Sequence, residues 1–239
     1  MKRALVTGGS GAIGAAICRR LASSGISVVV HAHKDLTGAS SVVEEIVAAG
    51  GVAQTTCFDV TDSAGVKYEL ELLLQAGPIQ ILVNNAGTHK DAPLAGMQPE
   101  HWREVVDINL NGFFNVTQPL LLPMMATRWG RIVSISSIAG ILGNRGQANY
   151  AAAKAGLHGA SKSLAIELAS RGITVNVVAP GIIASPLSEQ SFDKDTIKAL
   201  VPMNRVGKPE EVAALVAFLV SDEAAYISSQ IISINGAMA

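Results

Sequence analysis

Short β-branched runs alternate with amphipathic helical stretches along the whole chain, and that alternation is its strongest constraint. Ala4-Leu5-Val6 and residues 27–31, 52–58, 79–83, 131–136, 173–178 and 231–234 carry strand patterns. Between them, residues 12–24, 63–75, 99–122, 149–170 and 210–220 are predicted helices, with another around Val42, Val43, Ile46 and Val47. Ile13, Ile17 and Leu21 recur one turn apart, so one stripe of that helix faces inward. Strands separated by helices cannot pair as hairpins. Each connection must cross over the sheet, which makes the sheet parallel and covers both faces. Right-handed crossovers then give an α/β fold: a doubly wound, parallel seven-stranded sheet with helices on both faces. With no repeat, linker or low-complexity segment, residues 1–239 are expected to form a single domain. The one long irregular stretch, 181–203, has Pro186 and Pro202 near its ends. A loop of that length inside a compact domain points to a substrate lid.

Composition narrows the class. Of 239 residues, 49% are hydrophobic and 15% charged, and mean hydropathy is +0.36. A disordered chain needs the opposite balance. So little charge also implies that neighbouring subunits cover some surface. The net charge of −1 includes no run of like sign, so no nucleic-acid footprint is present. The longest apolar run, 212–220, falls well short of the ~18 residues of a membrane span. Met1-Lys2-Arg3 and the apolar residues after it imitate the start of a signal peptide. Thr7-Gly8-Gly9-Ser10-Gly11 interrupts that stretch and Arg19-Arg20 follow, so a cytoplasmic protein is expected. Cys18 and Cys57 offer neither a disulfide framework nor metal-ligand spacing.

Two stretches carry chemistry. Thr7, Gly8, Gly9, Ser10, Gly11, Ala12, Ile13 and Gly14 lie between the first strand and the first helix. There a glycine-rich turn lets backbone approach a pyrophosphate, which rests on the helix N-terminus and its positive dipole. A carboxylate ending the second strand would bind a ribose 2′-hydroxyl and select NAD. This strand ends His31-Ala32-His33-Lys34 with no acid before Asp35, which favours the 2′-phosphate of NADP, with Lys34 as its partner. His31 and His33 share a strand face, but no third ligand suggests itself, and no metal site is expected.

Further on, Tyr150 and Lys154 stand four apart at the opening of a predicted helix and project from one face. A free tyrosine holds its proton too tightly at neutral pH. An adjacent ammonium and a nicotinium ring both favour phenolate, so the pKa of Tyr150 is expected to fall. Ser137, just past the fifth strand, can donate to a carbonyl oxygen held between it and Tyr150.

These segments together resemble the short-chain dehydrogenase/reductase family over essentially the whole chain. The marks are Thr7 to Gly14, Asp59-Val60, Asn84-Asn85-Ala86-Gly87, Asn109, Ser137, Tyr150, Lys154 and Pro180-Gly181. The resemblance implies a Rossmann fold and hydride transfer from a nicotinamide to a carbonyl carbon. It implies that Tyr150 is the general acid, that Lys154 binds the nicotinamide ribose, that Ser137 polarises the carbonyl and that Asn109 holds a relay water. By the same likeness Asp59 and Val60 meet the adenine, and Asn85, Ala86 and Gly87 the adenine-side ribose. Pro180, Gly181, Ile183 and Ser185 meet the nicotinamide end.

Three departures stand out. Ala12 replaces the second motif glycine. Gly11 replaces an arginine common in NADP users, shifting the phosphate to His33 and Lys34. Asn235-Gly236-Ala237 replaces a Gly-Gly ending.

Within the family, residues 143–150 and 171–181 resemble bacterial 3-oxoacyl-[acyl-carrier-protein] reductases of fatty acid synthesis. That likeness implies NADPH as cofactor, an acyl carrier protein as partner, Arg128 and Arg171 as docking residues near the active-site entrance, and a homotetramer built through the long helices and C-terminal segment. Two further readings stay open: a reductase of free small ketones, sugars or polyols, and a catalytically silent nucleotide-binding protein.

Overall fold

The structure, a computed structural model, describes residues 1–185 and 193–239. One parallel sheet contains β1 (Arg3–Val6), β2 (Ser27–Ala32), β3 (Ala53–Cys57), β4 (Ile81–Asn84), β5 (Gly130–Ile135), β6 (Ile173–Pro180) and β7 (Ile231–Ile234). Their spatial order is β3-β2-β1-β4-β5-β6-β7. The chain leaves β1 in one direction for β2 and β3 and in the other for β4 onward. The carboxyl ends of β1 and β4 therefore flank a topological switch point, where doubly wound sheets open a crevice.

Side-chain alternation explains the layers. Ala4 and Val6 face one side of the sheet, with Val28, Val30, Val133 and Val178. There they meet α1 (Ala12–Ser23), α2 (Leu36–Ala48) and α9 (Pro209–Leu219) through Ile17, Leu21, Val42, Ile46, Val212 and Val216. Leu5, Val29, Leu82, Ile132 and Val175 face the other side. They pack on α3 (Ser63–Gln75), α5 (Gly112–Thr127) and α7 (Ala148–Leu168) through Val66, Leu70, Leu120, Leu164 and Leu168. Both faces are dry, so the inner strands are apolar throughout rather than alternating. Each large aliphatic side chain buried here contributes roughly 1.5–3 kcal/mol.

Two elements differ from expectation. The predicted helix 99–122 is interrupted. α4 (Pro99–Val106) passes into a π-helical turn, Asp107–Asn111, before α5 begins. Asn109 Nδ2 donates to the carbonyls of Val105 at 2.8 Å and Thr88 at 2.7 Å, which draws this turn wide. The 181–203 stretch contains α8 (Lys194–Leu200), whose first turn is capped by Asp193 accepting from Thr196 N–H at 2.8 Å. The middle of the expected lid, 186–192 with Pro186, lies outside the described residues. A short helix, α6 (Ala139–Leu142), follows Ser137.

Candidate active site

Gly8 and Gly14 are two of the positions at which the glycine-rich turn tolerates no side chain. Gly8 has φ of +63°, and a Cβ there would crowd Ala86 and Asn85 Nδ2 at 3.1 Å. A Cβ on Gly14 would fall 2.2 Å from the Gly8 carbonyl, so this helix can start against the turn only with glycine. The amides of α1's first turn have no intrahelical acceptor and point into the crevice. Asn85 fastens the two sides: its Nδ2 donates to the carbonyls of Thr7 at 2.9 Å and Gly8 at 3.1 Å, while Thr7 Oγ1 accepts from the amides of Asn85 and Ala86, both at 2.9 Å. Thr7, 2% exposed, therefore lies beneath the turn with its hydroxyl committed. Gly9 is likewise buried behind it, against Val30.

The other expected dinucleotide residues converge. One cleft of about 400 Å³ is lined by Gly8, Ser10 to Gly14, Asn85 to Gly87, Ile183, Ala184 and Ser185. A second, about 460 Å³, shares Gly8, Ala86 and Gly87 and continues past His33, Lys34, Asp59 and Val60. Asp59 does not stand free. Burial raises its carboxyl, but the Thr61 amide and hydroxyl at 2.9 and 2.8 Å, with His33 and Lys34, hold it below the usual range. His33 Nε2 lies 3.6 Å from Asp59 Oδ2. The Ala12 methyl is exposed on the cleft wall rather than wedged into the turn. The pairing of His31 with His33 at a metal does not arise, because both ring nitrogens of His31 are hydrogen bonded. Pro180 is buried at the end of β6, and Gly181 packs on Asn235.

Gly87, which lines both clefts, adjoins the second cluster. Lys154 is 3% exposed; its Nζ donates to the Ile135 carbonyl at 2.9 Å and lies 5.6 Å from the Tyr150 ring centre. Burial pushes this lysine down to about 8. Asn109 is buried with both amide hydrogens used, yet its Oδ1 has no partner among the described residues. A Cβ at Gly87 would sit 2.6 Å from that oxygen and 3.3 Å from Lys154 Nζ, so the two flank one small space. Ser137 is half-buried at the mouth of β5, and its Oγ accepts from the Ala139 amide.

The expected fall in the Tyr150 pKa is not found in the chain by itself. Burial raises it, the Ser137 hydroxyl opposes that rise, and the Asp91 carboxylate adds to it. Sequence reasoning missed Asp91. It accepts from His89 at 2.9 Å and from Gln147 at 2.8 Å, tying the 88–97 segment to the turn that carries Tyr150. It missed Ser136 too, whose Oγ lies 2.7 Å from His158 Nε2 and donates to the Lys154 carbonyl.

Arg128 and Arg171 are placed otherwise than expected. They lie side by side, with Arg128 donating to the Ser170 carbonyl at 3.4 Å, just before the amino ends of β5 and β6. Ser137 and Tyr150 follow the carboxyl end of β5. In a parallel sheet those are opposite ends, some ~20 Å apart along six residues. Within one chain the arginines do not border the entrance.

A crevice at the switch point, a glycine turn on a helix N-terminus and a Ser-Tyr-Lys group next to Gly87 together carry a family signature. A profile described as short chain dehydrogenase matches residues 2–196. The chain belongs to the short-chain dehydrogenase family. It is similar to 3-oxoacyl-[acyl-carrier-protein] reductase FabG of Escherichia coli (strain K12), with 45% identity over 240 residues covering 99% of this chain and 97% of that protein. FabG of Staphylococcus aureus (strain Mu50 / ATCC 700699) is 44% identical, covering 99% and 98%. FabG of Aggregatibacter actinomycetemcomitans is 42% identical, covering 98% of each. The chain is an oxidoreductase whose family uses a nicotinamide cofactor. The residues fit such a group: glycines where a Cβ would block the turn, open helical amides beneath it, and an unpaired buried oxygen beside the lysine. No described helix is long and apolar enough to cross a membrane.

Proposed function

We propose that this chain is a cytoplasmic, NADPH-dependent reductase that converts 3-oxoacyl thioesters on acyl carrier protein to 3-hydroxyacyl thioesters. The observation that carries the reading is Gly87, which lines both clefts of the glycine turn and whose added Cβ would lie 3.3 Å from Lys154 Nζ beside Tyr150, in a chain that aligns end to end with 3-oxoacyl-carrier-protein reductases. When bound, the reduced nicotinamide supplies the hydride. Tyr150 Oη donates the proton to the carbonyl oxygen, and Ser137 Oγ donates a hydrogen bond to the same oxygen as negative charge grows there. Lys154, held by the Ile135 carbonyl, places its charge beside Tyr150 and favours loss of that proton. Asn109 Oδ1 holds the water that returns the proton from solvent. At the other end Lys34 and His33 take the 2′-phosphate, the charge of Asp59 being spent on Thr61 and His33.

Exposed apolar residues support an acyl substrate and an assembly. Leu94 and Leu142 border the segments tied to Tyr150, where a hydrophobic chain would cover them. Phe114 and Leu122 on α5 and Ile166 on α7 are 63%, 76% and 79% exposed, which suits a homotetramer built through these helices. In such an assembly Arg128 and Arg171 would dock the carrier for a neighbouring copy's site. The deciding experiment follows NADPH oxidation with an acetoacetyl group on carrier protein, on coenzyme A, and with free ketones. The reading expects the carrier-borne thioester to have the highest kcat/KM. Equal or better use of free ketones would overturn it.

A further inference from the structure

His31, the second-last residue of β2, is 1% exposed with both ring nitrogens in use. The Gly8 amide donates to Nδ1 at 3.1 Å, and Nε2 lies 2.9 Å from the Phe58 carbonyl oxygen. These partners dictate the tautomer. An amide only donates, so Nδ1 carries no proton; a carbonyl only accepts, so Nε2 carries it. The imidazole also packs on the Phe58 ring, with centres 4.0 Å apart. The next amide of the turn, Gly9 N–H, donates to the backbone carbonyl of His31 at 2.7 Å. One residue thus holds two successive amides of the glycine turn and reaches across the end of β3 to the segment that carries Asp59 and Val60. Gly8 on the one segment and Asp59 and Val60 on the other line the same cleft.

We propose that His31 is a positioning residue for the dinucleotide: its neutral imidazole sets the spacing between the turn that takes the pyrophosphate and the loop that takes the adenine. The proposal rests on the nicotinamide-dinucleotide reading above. It has a structural consequence. With the Gly8 and Gly9 amides committed to His31, and the Gly11 amide to the Gly8 carbonyl, an anion is left the amides of Ser10, Ala12, Ile13 and Gly14. Few side chains can replace this ring. A carboxylate cannot donate to Phe58, a lysine cannot accept from Gly8, and an asparagine can accept from Gly8 but is too short to reach Phe58 as well.

The test titrates NADPH, NADP+ and 2′,5′-ADP into the wild-type protein, His31→Asn and His31→Leu, with thermal unfolding followed alongside. His31→Leu is expected to lose about tenfold in affinity for all three, about 1.4 kcal/mol. His31→Asn, which keeps the Gly8 bond, should lose about threefold. In steady state the KM for NADPH should rise by more than kcat falls. A long-range proton–nitrogen spectrum of the wild-type protein should show His31 as the Nε2-protonated tautomer with and without NADP+. Folded His31→Leu with wild-type affinities would overturn the proposal, as would the Nδ1-protonated tautomer. Should His31→Leu fail to fold, wild-type affinity in His31→Asn would overturn it instead. A wild-type protein that binds NADP+ only as weakly as it binds AMP would remove the dinucleotide reading and this inference with it.

Discussion

The sharpest test of the proton path is one added methyl group. Gly87 does not adopt a positive φ, so its backbone accepts alanine without strain. Its Cβ, however, would lie 2.6 Å from Asn109 Oδ1 and 3.3 Å from Lys154 Nζ. Ordinary contact between carbon and a carbonyl oxygen starts near ~3.3 Å, so the Asn109 amide must retreat by roughly 0.7 Å. It is not free to do so, because its nitrogen is held at 2.7 and 2.8 Å by the Thr88 and Val105 carbonyls. Overpacking of this kind costs about 1–3 kcal/mol in stability. Misplacing reacting groups by ~1 Å costs up to about 100-fold in rate. Gly87→Ala is therefore expected to lower kcat about 10- to 100-fold at saturating NADPH, while the protein stays folded at 25 °C. Stopped-flow NADPH oxidation reads the rate, and urea unfolding reads the stability. Asn109→Ala removes the atom the methyl would strike, so Gly87→Ala in that background should cost much less than it does in the wild type. A Gly87→Ala enzyme within twofold of wild type, or strict additivity of the two changes, would refute the idea that Asn109 and Lys154 share one critical space.

Other outcomes follow from the same geometry. Lys154→Met should abolish reduction yet stabilise the protein near pH 7 by about 2 kcal/mol, because burial drops this lysine from 10.5 to about 8 and the lost Ile135 bond offsets only part of that relief. The folded pKa lies below the unfolded one, so the unfolded wild-type chain binds more protons between pH 8 and 10.5 and wild-type stability rises there. The advantage of Lys154→Met, measured by denaturant unfolding, should therefore be full below pH 8 and gone by about pH 10.5. Ala237 holds a φ of 70°, so Ala237→Gly should add about 1 kcal/mol and raise Tm by roughly 2–4 °C in a calorimeter. Lys34→Ala should weaken NADPH at least tenfold and NADH less than twofold in fluorescence titrations. Arg128→Ala with Arg171→Ala should raise KM for a carrier-borne substrate several-fold and leave the coenzyme A thioester unchanged.

What was legible in the sequence is what is local in the chain. The turn from Thr7 to Gly14 and the four-residue spacing of Tyr150 and Lys154 each fit within one helical opening, so spacing alone projects them correctly. The strand and helix order fixes the parallel sheet for the same reason. His31 as a clamp is invisible at that level, because Gly8 and Phe58 meet it only once β1, β2 and β3 pair in register, Val6 beside Val30 and Ala32 beside Cys57. The π-helical turn around Asn109 is equally hidden: apolar spacing runs on through it, and the cause is a carbonyl from Thr88, 21 residues away. The direction of the Tyr150 shift depends on burial and on Asp91, which no local pattern reports.

The misplaced arginines show a reading that chain order already contained. In a parallel sheet, whatever precedes a strand lies at its amino edge and whatever follows lies at its carboxyl edge. Arg128 precedes β5, Arg171 precedes β6, and Ser137 follows β5. No rearrangement of loops brings those groups together in one chain, because the strands between them are buried and hydrogen bonded on both sides. If the arginines receive the carrier, they receive it for another copy, and the assembly becomes part of the site rather than a means of stabilising it. The exposed apolar residues of α5 and α7 would then be the surface for that contact. An enzyme diluted until it is monomeric would then keep its dinucleotide affinity, which depends on groups within one chain, and lose its preference for carrier-borne substrate.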